Sequence, residues 1–451
     1  MAQFTELPAE ILFMMIKYLS VEDMENLRST CKAFYTIMED AALWRRALCT
    51  LLSVPINWVM AIVQSKTINQ LRKQARKAAL MTERWHLDRP APRRVRSYLW
   101  PKLQDVLFIP GGDWLVCMFE QGTLQVRRVE TMEIACSLQS GVDTSMFSMS
   151  CISVSPEGNF YALFHCTERI LIYEIRLTPD KQSLRVVDKL SRDDMQGIDV
   201  LRHASLAGNV VALDCYYQGQ DLVYMRTVKP GETGGTMHAA LIHDHTHCTI
   251  HILSSRVVLL CNGQGISVYK TQGLVGTTKP SVLDIVSSDT IWSVSFDSWT
   301  SGQLSGSPAI WKNLYDGHQG PLMILGAGVL HIVQPSVDLD KYSLRSFRVP
   351  EIVAEARAVG TRYAFCAQTE QNRGLVFKTC TFPRVLQAYD EIEDAEDMQV
   401  SPGRVNLGSF LIEEVKDMSP VFSRLDEWTG YACVMLENDG GVKRLVIVDV
   451  I

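Results

Sequence analysis

From Leu103 onward the sequence is a succession of paired apolar runs, and this pairing constrains the fold more than any other feature. Leu115–Phe119 is followed, across Glu120-Gln121-Gly122-Thr123, by Leu124–Val129. Six more pairs repeat the plan: Tyr161–His165 with Ile170–Ile175, Val210–Tyr217 with Leu222–Val228, Arg256–Asn262 with Gly265–Thr271, Val329–Gln334 with Tyr342–Val349, Tyr363–Thr369 with Gly374–Phe382, and Tyr431–Glu437 with Arg444–Val450. The runs are rich in β-branched and aromatic residues and are joined by polar or Gly-containing loops, as the strands of β-hairpins are.

These hairpins recur about every 50 residues along positions 103–451, near the ~40–50-residue period of propeller blades. Each is expected to form the inner pair of a four-stranded blade, with flanking residues supplying the other two strands. The limits around Ser281–Gly328 are the least defined. The expected fold class is α+β multidomain: a small all-α N-terminal part and helical connector, then an all-β propeller of about seven blades. A closed propeller commonly completes its last blade with a strand from the start of the domain, which removes a free edge. Val95–Leu99 or Leu103–Phe108 could supply that strand.

Composition is ordinary for a folded chain of 451 residues, with 47% apolar and 21% charged residues, 28 Gly and 17 Pro. Collagen-like and low-complexity architectures are excluded. The net charge of −6 argues against non-specific nucleic-acid binding by the chain as a whole. Its distribution is uneven. Residues 1–43 carry net −4, residues 44–102 net +11, and the remainder net −13. Such asymmetry follows domain boundaries, and the expected division is 1–48, 49–102 and 103–451.

The twelve cysteines are scattered from Cys31 to Cys433 without a C-x-x-C pair. That pattern reads as buried thiols in a reducing compartment. The apolar stretch Leu7 to Leu19 is broken by Glu10 and Lys17, so no signal peptide is expected. Two uncharged runs, Ala47 to Ser65 and Gly317 to Val337, are interrupted by Pro, Asn, Gln or Gly and suit a half-buried helix and short strands better than membrane spans. The expected location is the cytoplasm or nucleus.

Leu7-Pro8-Ala9-Glu10-Ile11-Leu12 opens a helix. Pro8 is tolerated in the first turn because its missing N–H would lack an intrahelical partner, and Glu10 suits the positive end of the helix dipole. Ile11, Leu12, Met15, Ile16 and Leu19 mark one face at helical spacing. Ser20 with Asp23 forms a capping-box-like start for a second helix, Asp standing where Glu or Gln is usual. Leu27, Cys31, Phe34 and Ile37 give a further stripe, and Leu43-Trp44-Arg45-Arg46 starts another helix. Helices this short bury too little area to be secure alone.

Over residues 4–48 this pattern resembles the F-box: Leu7-Pro8, Ile11-Leu12, Ile16, Leu19, Asp23, Leu27, Cys31-Lys32, Phe34 and Leu43-Trp44. The resemblance implies docking on the Skp-type adaptor of a cullin–RING ubiquitin ligase. Carried over by position, Leu7, Pro8, Ile11, Leu12, Ile16, Leu19, Leu43 and Trp44 would face the adaptor or support that face. The alternative is a generic helical hairpin whose stripes pack on the rest of the chain.

Two segments farther on resemble WD-repeat blades: Phe108-Ile109-Pro110-Gly111-Gly112-Asp113-Trp114-Leu115-Val116 and Val154-Ser155-Pro156-Glu157-Gly158-Asn159-Phe160. No Trp-Asp dipeptide closes a blade, and Gly317-His318 is the only Gly-His pair. The resemblance implies a degenerate propeller.

Residues 66–86 read as one helix of strong helix formers, ended by Trp85 and Pro90-Ala91-Pro92, with Arg93, Arg94 and Arg96 beyond. It resembles the connector of F-box proteins whose second domain is a propeller. A basic helix could meet nucleic acid or an acidic membrane. A solvated linker helix between two acidic blocks, packed within the molecule, is the preferred reading, because no recognition motif accompanies the charges.

His243, His245, His247, Cys248 and His251 are the one metal-like cluster, but a single strand gives poor tetrahedral geometry. They are read as polar residues of a strand or loop, and no metal or cofactor is expected. No nucleophile elbow, zinc-protease motif, phosphate loop or dinucleotide fingerprint occurs, so no catalytic residue is assigned. The six carboxylates Asp390, Glu391, Glu393, Asp394, Glu396 and Asp397 read as a solvated loop or a landing site for a basic partner. Asp426-Glu427-Trp428-Thr429-Gly430 reads as a turn before the last hairpin.

The expected function is that of a non-catalytic substrate receptor in an SCF (Skp–cullin–F-box) ubiquitin ligase. The F-box would hold the adaptor and the propeller a protein substrate, with neither nucleic acid nor membrane as partner. The scarcity of dense basic runs beyond residue 102 favours a neutral or basic substrate segment over a phosphorylated one. A scaffold that does not degrade its partner is the alternative, and a propeller enzyme with an accessory helical module the third.

Overall fold

The computed structural model describes residues 7–52, 63, 66–85 and, with interruptions, 93–449; the longest interruptions are 277–288, 296–308, 311–321, 349–357 and 382–414. Among the described residues, the α-helices precede the strands. The helices are α1 (Ala9–Ile16), α2 (Val21–Thr30), α3 (Lys32–Met38), α4 (Ala41–Leu52) and α5 (Ile68–Trp85). Ser20 caps α2 by accepting the Asp23 N–H at 3.0 Å, as the sequence predicts. The short Asp23 carboxylate does not complete a capping box on the backbone; it accepts the Ser20 hydroxyl at 2.6 Å instead. Cys31 is extended, which separates α2 from α3.

The strands form seven antiparallel sheets among the described residues. After β1 (Arg94–Leu99) come β2 (Leu103–Phe108), β3 (Trp114–Phe119), β4 (Thr123–Arg128) and β5 (Ile134–Gln139), which make one sheet. The next holds β6 (Ser148–Val154), β7 (Phe160–His165), β8 (Arg169–Leu177) and β9 (Gln182–Ser191). A third holds β10 (Ile198–Ala207), β11 (Val210–Tyr217), β12 (Gln220–Thr227) and β13 (Met237–Ile242). Then follow β14 (Thr249–Ser254), β15 (Val257–Asn262), β16 (Gly265–Lys270), β17 (Val275–Gly276) and β18 (Asp289–Ser295); β17 adds to the edge of β13, and the other four form a sheet. The remaining sheets are β19 (Ala309–Ile310) to β22 (Tyr342–Arg348) through β20 (Leu322–Gly326) and β21 (Val329–Pro335), and β23 (Ala358–Val359), β24 (Tyr363–Glu370) and β25 (Gly374–Thr381). Last come β26 (Met418–Asp426), β27 (Tyr431–Asn438) and β28 (Lys443–Asp449), which β1 completes.

The first strands of successive sheets meet: β2 touches β6, β6 touches β10, β10 touches β14, β19 touches β23, β23 touches β26, and β26 returns to β2. The remaining gap is bridged by apolar contact, with Leu253, Val257 and Leu259 clustered with Val333, Tyr342 and Leu344. The sheets therefore close a ring with their first strands innermost, which is a β-propeller. The closing strand is Arg94–Leu99, in antiparallel register from Arg94 opposite Asp449 to Leu99 opposite Arg444. Leu103–Phe108, the other candidate, is the innermost strand of the following sheet. A division at residue 103 thus leaves outside the β-region a strand that belongs to it.

Most of the legible hairpins are the middle pairs of their sheets, as expected. Six of them are the second and third strands, and Val329–Gln334 with Tyr342–Val349 falls on the third and fourth. The reason is burial. Middle strands are covered on both faces by neighbouring sheets, so they read as unbroken apolar runs. Tyr431 to Leu436 in β27 is buried throughout, whereas the outer strand β1 is half-buried or exposed at every position. No helix among the described residues is long and apolar enough to cross a membrane.

The connector is not a solvated linker. Leu71, Gln74, Ala75, Ala78 and Met81 on α5 are buried. Leu71, Ala75 and Ala78 share one apolar cluster with Met24, Trp44 and Leu48 of the helices and with Val116, Phe160 and Tyr173 of the sheets. Three of its basic residues are engaged inside the chain. Arg72 grips Glu25 of α2 through two hydrogen bonds of 3.1 and 2.5 Å, Lys77 lies 4.9 Å from the Tyr431 ring centroid, and Lys66 pairs with Asp113 at 3.8 Å.

Candidate functional site

Helix α1 has the sequence AEILFMMI, apolar at all but one position. One face cannot hold that many apolar side chains, so some must point at solvent. The Pro8 carbonyl accepts the N–H groups of Ile11 and Leu12 at 3.0 and 3.1 Å, which starts the helix without a side-chain cap. At the other end Tyr18 and Leu19 donate to the carbonyls of Met15 and Ile16.

The single stripe expected from spacing is in fact two. Leu12 and Ile16 turn inward and are buried; Ile16 packs with Val21, Met24 and Met38. Ile11, Met15 and Leu19 form an exposed row, and Met14 and Tyr18 widen it. Met14 is 50% exposed and Tyr18 79%. The Lys17 ammonium sits 4.6 Å from the Tyr18 ring centroid, close enough for a cation–π contact. Tyr35 of α3 is also exposed, with the Arg28 guanidinium 4.1 Å from its centroid and paired to Glu39 at 2.8 Å.

The eight residues carried over by position therefore divide. Pro8, Ile11 and Leu19 are exposed and Leu7 is half-buried, whereas Leu12, Ile16, Leu43 and Trp44 lie in the core. Trp44 is fully buried and donates its indole N–H to the Met38 carbonyl at 2.8 Å. The second group can only hold the first in place. Met14 and Tyr18 were not singled out by periodicity; the signal that could have found them is the scarcity of polar residues in α1, where Glu10 stands alone.

Elsewhere, His251 is buried on β14, while His243, His245, His247 and Cys248 lie outside the described residues. No group of three His, Cys, Asp or Glu among the described residues could hold a metal ion. The acidic run 390–397 and Trp428 also lie outside them. Of residues 426–430, Asp426, Thr429 and Gly430 are described: Asp426 is buried, its carboxylate accepts the Thr429 hydroxyl at 2.5 Å, and its carbonyl accepts the Gly430 N–H at 2.9 Å.

The fold and this surface define a class: a β-propeller carrying a small helical module with an exposed apolar helix face. Residues 4–50 match the F-box-like family model, so the chain carries an F-box-like domain ahead of its propeller. No curated protein matches the chain. Among solved structures it is similar to the β-propeller domain of Cps50 (Swd1) from Myceliophteria thermophila, at 13% identity and a TM-score of 0.44, over 78% of this chain and 98% of that one. It is similar also to the WD40 domain of SCAP from fission yeast, at 8% identity and a TM-score of 0.42, over 77% of this chain and 82% of that one.

Proposed function

We propose that this chain is a substrate receptor of an SCF-type ubiquitin ligase, non-catalytic in itself. The exposed row on α1 would dock the Skp-type adaptor, and through it the cullin–RING assembly, while the propeller presents a protein substrate. The observation that carries this reading is the exposed face Ile11, Met14, Met15, Tyr18 and Leu19, inside the segment that matches the F-box-like model. Contiguous exposed apolar side chains of this kind mark protein-interaction surfaces. Docking of this kind rests on a few apolar anchors that become buried in the complex.

The chemistry would be one of proximity. Lysines of a bound substrate are held near the ubiquitin-carrying enzyme recruited by the cullin, which raises their effective concentration. We place this activity in the cytoplasm or nucleus; the eight cysteines whose side chains are described, all free thiols, suit a reducing compartment. Purified chain carrying Ile11→Asp and Met15→Asp should lose capture of the adaptor while keeping its strand content. Capture at wild-type affinity by that variant would overturn the assignment.

A further inference from the structure

Two donors from the connector converge on one backbone carbonyl of the propeller. Lys66, two residues ahead of α5, brings Nζ to within 3.2 Å of the Gly111 oxygen, and Gln74, in the second turn of α5, brings Nε2 to 3.4 Å. Gly111 sits in the turn between β2 and β3 with φ +90°, a conformation that suits glycine and costs other residues strain. The same turn supplies Asp113, 3.8 Å from Lys66. Lys66 keeps only 18% of its side-chain surface exposed and Gln74 is buried. Burial lowers the Lys66 pKa, with Asp113 and Asp426 opposing that shift and Lys77 adding to it.

Apolar burial holds α5 near the sheets but is non-directional. Directional bonds are what fix an angle, and a buried polar group left unmade is costly. We propose that the β2–β3 turn is a latch, and that Lys66 and Gln74 are positioning residues that fix the angle between the helical module and the propeller. The purpose of the latch rests on the receptor reading, because a receptor must keep adaptor and substrate in a constant relation; its geometry does not.

The test uses the full chain with nitroxide amino acids at Glu22, exposed on α2, and at Asp439, exposed in the β27–β28 turn. Pulsed electron resonance should give one narrow distance distribution. Lys66→Met with Gln74→Leu should at least double its width, and Lys66→Arg should keep the original width. A broad distribution in the unmodified chain overturns the latch, and so does an unchanged width in the double variant. If the double variant loses its strand signal, the same comparison is made with Gln74→Leu alone. Adaptor affinity should stay within twofold in the variants. A tenfold loss would mean that these residues act on the docking surface itself, which also overturns the positioning role. Failure of the unmodified chain to bind adaptor would refute the receptor reading, while the distances still decide the latch.

Discussion

The indole of Trp44 and the carbonyl of Met38 are joined by a 2.8 Å hydrogen bond between two fully buried residues. The bond ties the start of α4 to the end of α3 and orients the ring that supports α1, α2 and α5.

Trp44→Phe keeps most of the apolar volume but leaves the Met38 carbonyl unpaired, at a cost of about 1–3 kcal/mol. Trp44→Ala adds a cavity and should cost about 3–5 kcal/mol. Urea unfolding followed by helical circular dichroism checks both. Equal effects would mean that the hydrogen bond contributes nothing.

The two rows of α1 should separate binding from stability. Leu12→Ala and Ile16→Ala, in the core, should each cost about 2–4 kcal/mol of stability. Met14→Ala and Tyr18→Ala, in the exposed row, should change stability by less than about 0.5 kcal/mol and weaken adaptor binding at least tenfold. Calorimetric titration and thermal melts on the same four variants give the contrast.

Ring closure can be probed by proline at alternate positions of β1. The Trp100 N–H donates to the Lys443 carbonyl, so by antiparallel alternation the N–H groups of Tyr98 and Arg96 face β28, and those of Val95 and Ser97 face away. Tyr98→Pro should lower the melting temperature by several degrees and promote self-association through the unpaired edge. Val95→Pro should be tolerated. Scanning calorimetry and light scattering read the difference; a similar loss in both would place the ladder wrongly.

Burial on β21 pushes the His331 pKa down to about 4 from 6.5. The unfolded chain then binds a proton that the folded chain refuses between those values. Stability from this group is full above pH 6.5, is lost as pH falls through that window, and levels off below about 4. The shift corresponds to roughly 3 kcal/mol at most. His331→Gln should flatten the pH dependence of urea unfolding between pH 7 and pH 4, and an unchanged slope would remove His331 as its source.

What could be read from the sequence follows from where burial is complete. The hairpins were legible because their strands, such as Trp114–Phe119 and Tyr431–Asn438, are apolar on both faces. The inner strands were not, since they mix buried apolar with buried polar residues, as Asp105 in β2, Ser205 in β10 and His251 in β14. On α1 the spacing identified the helix but could not say which apolar row faced the core, because both rows obey the same period. For α5 the charge pattern pointed to packing within the chain, but not to its polar partner, because the backbone oxygen of Gly111 has no side-chain signature.

The closure between β1 and β28 also sets an order of events. Ser97 and its hydrogen-bond partner Arg444 lie 347 positions apart. At roughly 5–20 residues per second of synthesis, β1 waits on the order of 20–70 seconds for its mate. Throughout that interval the nascent chain holds an unpaired edge beside a finished helical module. Non-local pairing of this kind folds slowly, so closure of the ring should come late, after the helical module and the earlier sheets have formed.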